Sequence, residues 1–237
     1  MTKNKNIYRA ALWFETENGR INQLSDDFFG LSTLLDRLIN EKYNGKKIKF
    51  LNIFFANEAK YKMITAIPMN YTHYYGGHLS YYGVFDIEKF NILGRSAKQE
   101  YIWRKAYHSL CAAGRATMNE ELIVAAEHAY NRGLEINLNQ DYRVIERTLD
   151  LSGQNFLAAV WILFKEDGMY SKFTLEKDGH IVFEKDIDKT ENGIEFFLDI
   201  YKGIDLQRDN IIIKGSRDVG YLPLKIPIKD IQVNADF

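Results

Sequence analysis

The chain has 237 residues, with 31 Lys and Arg against 32 Asp and Glu, so its net charge of −1 provides no global field toward nucleic acid or anionic lipid. A hydrophobic fraction of 46% and a mean hydropathy of −0.33 describe a globular chain long enough for one large domain or two small ones. The lone Cys111 excludes an internal disulfide, the N-terminus turns acidic before any apolar run develops, and no window approaches the ~18 apolar residues of a membrane span. The expected location is therefore the cytoplasm.

In chain order, residues 7–16 read as a strand and Asn18-Gly19 as a turn. Ser25 then has the chemistry of an N-cap, with Asp26 and Asp27 suiting the helix dipole. Leu31, Leu34, Leu35 and Leu38 keep helical spacing up to Gly45. A strand is predicted over 48–55 and a weaker one over 62–67, closed by Pro68. Residues 71–75 with Gly76-Gly77 read as irregular, and 78–85 as a strand. Two helices follow. Ser96 and Gln99 fit a capping box, with Ile102, Trp103, Ala106, Leu110 and Ala113 as the buried stripe. Asn119 caps the second helix, which ends at Gly133, and the pair predicts an antiparallel hairpin.

The polar connector at 137–141 predicts a boundary between an α+β lobe over 1–138 and an antiparallel β-rich lobe over 139–237, although the two can share one core. After it come a strand over 142–151, then FLAAVWILFKE, Asp167-Gly168, MYSKFTLEK, Asp178-Gly179 and HIVFEKD. Asp-Gly between apolar runs is a strong hairpin signal, so residues 156–186 predict a three-stranded meander. Type I turns with a bulged Gly would set Phe173 opposite both Trp161 and Phe183, and Leu175 opposite Ile181, which makes Trp161 core. Ile194, Phe197, Leu198 and Tyr201 fit a helix over 191–206. Residues 210–215 predict a central strand, and 222–228, with two prolines, an edge strand. The fold class is α+β: mostly antiparallel sheet with a C-terminal β-meander, a helical hairpin in the middle and one or two further covering helices.

Chemistry concentrates in one stretch. Tyr71, His73, Tyr74, Tyr75, His78, Tyr81 and Tyr82 crowd twelve residues around Gly76-Gly77. Tyrosine is large, rigid and half polar, so the cluster suits a protein-recognition edge. The same residues also fit a plain hairpin with tyrosines on one face and surface histidines. A hydrolase-type or metal-dependent enzyme would instead pair His73 and His78 with Asp86 or Glu88. Lys46, Lys47 and Lys49 form a short basic run, but RNA binding needs aromatic rings arranged across a sheet beside it. No nucleophile–base pair, metal template or phosphate loop stands out, and no cofactor is expected.

The segment WILFKEDGMYSKFTLEKDGHIVFEKD (161–186), within a chain rich in Tyr, Phe, Asn and Lys, resembles immunity proteins of bacterial polymorphic and contact-dependent toxin systems. That resemblance implies a cytosolic protein without catalytic motifs that covers a toxin's active site with an acidic or aromatic surface. It carries over no individual residue. The expected function is thus protein binding, as an immunity or adaptor protein, with no membrane and no nucleic-acid partner.

Overall fold

The computed structural model describes residues 7–231 and divides into two units, residues 1–140 and 141–237. Residues 1–6 and 232–237, the outer ends of both expected lobes, lie outside the described residues. The fold is α+β, and seven of the nine strand pairings among the described residues are antiparallel.

In the first unit, β1 (Arg9–Thr16) turns Ala10, Leu12 and Phe14 inward and returns briefly as β2 (Gly19–Arg20). α1 (Asn22–Asp27) and α2 (Phe29–Lys42) follow, broken at Phe28, whose buried ring meets Phe90 edge-on at 5.8 Å. Ser25, expected as a cap, therefore lies inside α1. β3 (Phe50–Ala56) leads into α3 (Glu58–Met63), which takes the first two residues of the strand expected over 62–67, and 64–67 form no strand. The Asn57 side chain accepts from the Lys60 backbone N–H at 3.0 Å, and this cap outweighs the weak strand pattern after it. β4 (Tyr71–Tyr75) and β5 (His78–Val84) form a hairpin, so the stretch expected to be irregular is a strand.

α4 (Ile87–Asn91), α5 (Arg95–Ala116) and α6 (Glu120–Glu135) complete the unit. α5 begins at Arg95 with Gly94 as its cap, so the Ser96 box does not form, whereas Asn119 caps α6 as expected by accepting from Leu122 N–H at 3.0 Å. α5 and α6 pack tightly where Trp103 meets Gly133: a Cβ on that glycine would lie 2.5 Å from the indole. The sheet order is β2-β1-β3-β5-β4, and β1–β3 and β3–β5 are parallel. Leu12, Phe14, Leu51, Ile53, Phe55, Leu79 and Tyr81 form one core with the apolar stripes of α2, α5 and α6. These helices cover a single side of the sheet.

In the second unit, β6 (Tyr142–Leu151), β7 (Gln154–Lys165), β8 (Gly168–Lys177) and β9 (His180–Thr190) make the meander. Its register differs from the expected one. Both turns are two-residue loops, Glu166-Asp167 within the pair Lys165↔Gly168 and Asp178-Gly179 within Lys177↔His180, and bulges in the β8–β9 pairing re-align the strands. Phe173 consequently faces Val160 and Lys185, Leu175 faces Ala158 and Phe183, and Ile181 faces Glu176. Trp161 pairs with Lys172 and points to the side opposite Phe173. It is half-buried, with its Nε1 donating to Thr174 Oγ1 at 3.0 Å and the Arg143 guanidinium 4.8 Å from its ring centre. Val160, fully buried opposite Phe173, holds the core position that was assigned to Trp161.

The helix expected over 191–206 is instead a short 3-10 turn, Glu195–Asp199, followed by β10 (Tyr201–Gln207). A bulge between Tyr201 and Gly203 breaks the two-residue period, so Phe197, Ile200, Tyr201 and Ile204 are buried at a spacing that imitates a helix. β11 (Asn210–Gly215) is central and buries Ile211, Ile212 and Ile213, while β12 (Leu224–Pro227) is the edge, both as expected.

Candidate functional site

The strands of the first unit carry aromatic doublets. Trp13-Phe14 and Phe54-Phe55 each send the first ring to the side opposite α2, α5 and α6 and the second ring toward those helices, because successive strand residues alternate faces. Registration then aligns the outward residues into three rows across four strands. The first is Trp13, Phe54, Tyr82 and Tyr71. Ala11, Asn52, Ser80 and His73 form the second, and Arg9, Phe50, His78 and Tyr75 the third. Two aromatic ridges thus flank a furrow of small and polar side chains. The ridges lie about 13 Å apart, four residues of strand.

The ridges are internally stacked. Ring centres are 6.4 Å apart for Trp13–Phe54, 4.9 Å for Phe54–Tyr82 and 6.3 Å for Tyr82–Tyr71, with interplanar angles of 19°, 9° and 25°. In the third row, Phe50 stacks on His78 at 4.5 Å. Asn52 in the furrow accepts from Trp13 Nε1 at 3.1 Å. Tyr75 is 78% exposed and Tyr71 41%, whereas the inner rings are half-buried.

The margin is cationic. Arg9 and Arg20 lie 5.3 and 5.0 Å from the Trp13 ring centre, and Lys49 lies 5.2 Å from that of Tyr8. Glu15 is the sole carboxylate of β1, β3, β4 and β5, and it already meets Arg20 at 3.4 Å and Lys60 at 3.6 Å. The whole first unit carries an excess of Lys and Arg and the second an excess of Asp and Glu, which the net charge of −1 conceals.

Of the residues singled out in the sequence, Tyr71, His73, Tyr75, His78 and Tyr82 share this face. Tyr74 and Tyr81 point to the helix side. Tyr81 is buried, donates to Asn70 Oδ1 at 3.2 Å, and has its phenol pKa raised by burial. Tyr74 donates to the Lys47 carbonyl at 2.9 Å, pinning the hairpin to the loop before β3. The histidines do not converge with the expected carboxylates. Asp86 lies beyond the far end of β5, about 26 Å along the chain from His78, and spends its side chain capping α4 by accepting from Lys89 N–H at 2.9 Å. No group of three His, Cys, Asp or Glu suited to a metal occurs among the described residues. The parallel strands also keep one order, β1-β3-β5, so the reversal that opens a ligand crevice in α/β sheets does not arise.

The sequence reading missed Arg9, Trp13, Arg20, Phe50, Asn52 and Phe54. Their signal was the doublets, which read as core until the strands are known to be neighbours. Among the described residues no helix is long and apolar enough to cross a membrane. No family model, curated protein or solved structure matches the chain.

Proposed function

We propose that the chain is a protein-binding protein and that the uncovered face of the five-stranded sheet is its contact surface. The observation that carries this reading is the row Trp13, Phe54, Tyr82, Tyr71, held in register by four strands. Trp, Tyr and Arg are the residues from which interface hot spots are built, and rings already stacked lose little freedom on binding. The cationic margin selects a partner surface rich in carboxylates. We take the partner to be a toxin of the class that the resemblance of residues 161–186 implies, one that is acidic where it meets this face, and the buried lone Cys111 suits the reducing cytoplasm in which we place the pair.

Single-stranded nucleic acid also suits a basic, aromatic sheet, but it binds by stacking bases on free ring faces. Here those faces are engaged by one another: Phe54 lies on Tyr82, Phe50 on His78, and two guanidinium groups on Trp13. Edges, hydroxyls and a furrow are what solvent meets, and a protein surface fits those.

The test compares wild type with Phe54→Ser/Tyr82→Ser, after circular dichroism confirms the fold. A partner captured by wild type and then purified should bind the variant at least about 2 kcal/mol more weakly in calorimetry. Equal affinity refutes the reading. Tight, salt-sensitive binding of a labelled single-stranded RNA, lost in the variant, refutes it in favour of nucleic acid.

A further inference from the structure

Every open sheet ends in strands with unpaired backbone N–H and C=O groups, and folded proteins protect such edges with charge, proline or brevity. Three strands here show those devices. β9 spreads Glu184, Lys185, Asp186, Asp188 and Lys189 along its length. β12 contains Pro227 and follows Pro223. β2 is two residues long. β4 has neither acidic residue, lysine nor proline, and four of its five residues are exposed.

The geometry of β4 defines what it offers. The turn Gly76-Gly77 has φ of 55° and 87°, a conformation glycine adopts without strain, and the pair Tyr75↔His78 closes it. The closing pair of a two-residue hairpin exchanges both backbone bonds, and such pairs alternate along the ladder. Tyr71, His73 and Tyr75 therefore bond to β5, and the N–H and C=O of Thr72 and Tyr74 point outward. Neither residue makes another backbone hydrogen bond among the described residues.

Building on the reading of this sheet as a protein contact, we infer that the outer edge of β4 accepts an extended acidic segment of the partner as a sixth strand. The added main chain pairs with Thr72 and Tyr74, and its alternate side chains fall beside Tyr71, His73 and Tyr75 on the aromatic face. The charge follows from the surroundings. Lys47 and Lys49 lie against the hairpin, Lys47 through its carbonyl bond to Tyr74 and Lys49 at Gly77, while α5, with Arg115 in its last turn, packs beside β4. A second copy of β4 is the poorer occupant, because it brings the same cations.

The probe is a synthetic ten-residue peptide alternating Glu and Val, titrated into the full-length ¹⁵N-labelled protein at low salt. The Thr72 and Tyr74 amides should shift and exchange with solvent about tenfold more slowly. A peptide with Lys in place of Glu, and one N-methylated at alternate residues, should each bind about tenfold more weakly or worse. Thr72→Pro removes an outward N–H by the device β12 uses and should abolish binding without moving the melting temperature. The N-methylated peptide gives the same answer on wild type if that variant misfolds. The inference is overturned by failure of the acidic peptide to bind at millimolar concentration, by unshifted Thr72 and Tyr74 amides, or by a concentration-dependent dimer that buries them. Failure here leaves the aromatic-face reading standing, since that one falls if Phe54→Ser/Tyr82→Ser keeps its partner or if the face binds single-stranded RNA instead.

Discussion

The choice of a protein partner over nucleic acid depends on rings already stacked on one another, and a double-mutant cycle on Phe54 and Tyr82 measures this. Their ring centres lie 4.9 Å apart at 9° on adjacent parallel strands, directly opposite in register. Aromatic pairs in such contact contribute about 0.5–1.5 kcal/mol beyond area burial. Each ring replaced by Leu loses that coupling together with some packing, about 1–2 kcal/mol in all for a half-buried ring. The double variant loses the coupling once, so it should be about 1 kcal/mol less destabilised than the two singles summed. The two units can unfold separately, so the assay must report on the first alone. Of the three tryptophans, Trp13 and Trp103 lie in the first unit and Trp161 in the second. Urea denaturation followed by emission in a Trp161→Phe background isolates the right transition. A coupling within ~0.3 kcal/mol of zero means that the ring faces are free, and the case against base stacking falls with it.

Phe173→Ala should destabilise the second unit by about 3–5 kcal/mol, and Trp161→Ala by clearly less; denaturant melts giving the reverse order refute the assignment of the meander's faces. Gly133→Ala should lower the melting temperature, although alanine is ordinarily worth about 1 kcal/mol over glycine inside a helix. The added Cβ would stand 2.5 Å from the Trp103 ring, and a stabilised variant would show that α5 and α6 are not so close. The Asp167 carboxyl should titrate at about 2, below its ordinary 3.8, because Lys189 and then Tyr170 hydrogen-bond the ionised form. A depressed folded-state pKa stabilises fully above the unfolded value and loses that contribution as pH falls through about 2. Carbon-detected NMR titration reads this directly, and Lys189→Met should return the midpoint toward 3.8.

What could be read in the sequence was what local chemistry determines. The apolar stripes of α2, α5 and α6, the Asn119 cap, the places of the Asp-Gly turns and the proline-marked edge each follow from residues a few positions apart. What escaped was set by single extra residues and by distant pairing. One bulge disguised β10 as a helix, and the two-residue loop that pairs Lys165 with Gly168 shifted the β7–β8 register by one residue and set Trp161 opposite Lys172, off the core face. The site was half legible. The tyrosine and histidine cluster was conspicuous, but its partners Trp13 and Phe54 are brought to it by parallel pairings between distant strands, Trp13↔Phe54 and Phe54↔Tyr82, and no local signal specifies those.

The sign of the charge at the aromatic face bears on the immunity-protein resemblance. Such proteins were expected to present an acidic or aromatic surface, and here the aromatic part is bordered by Arg9, Arg20 and Lys49. An acidic surface opposes a basic enzyme such as a nuclease; a basic one cannot, because like charges across a desolvated interface cost several kcal/mol. A neutralised partner would therefore be acidic where it meets β4 and the ridges. On the proposed reading the cations lie at the margin and the rings at the centre, so charge would govern encounter and selection while burial of Phe54, Tyr82 and Tyr71 would govern residence. An exposed edge beside an exposed aromatic face is also an aggregation hazard, and like-charged margins on two copies would keep such a surface available to a different molecule.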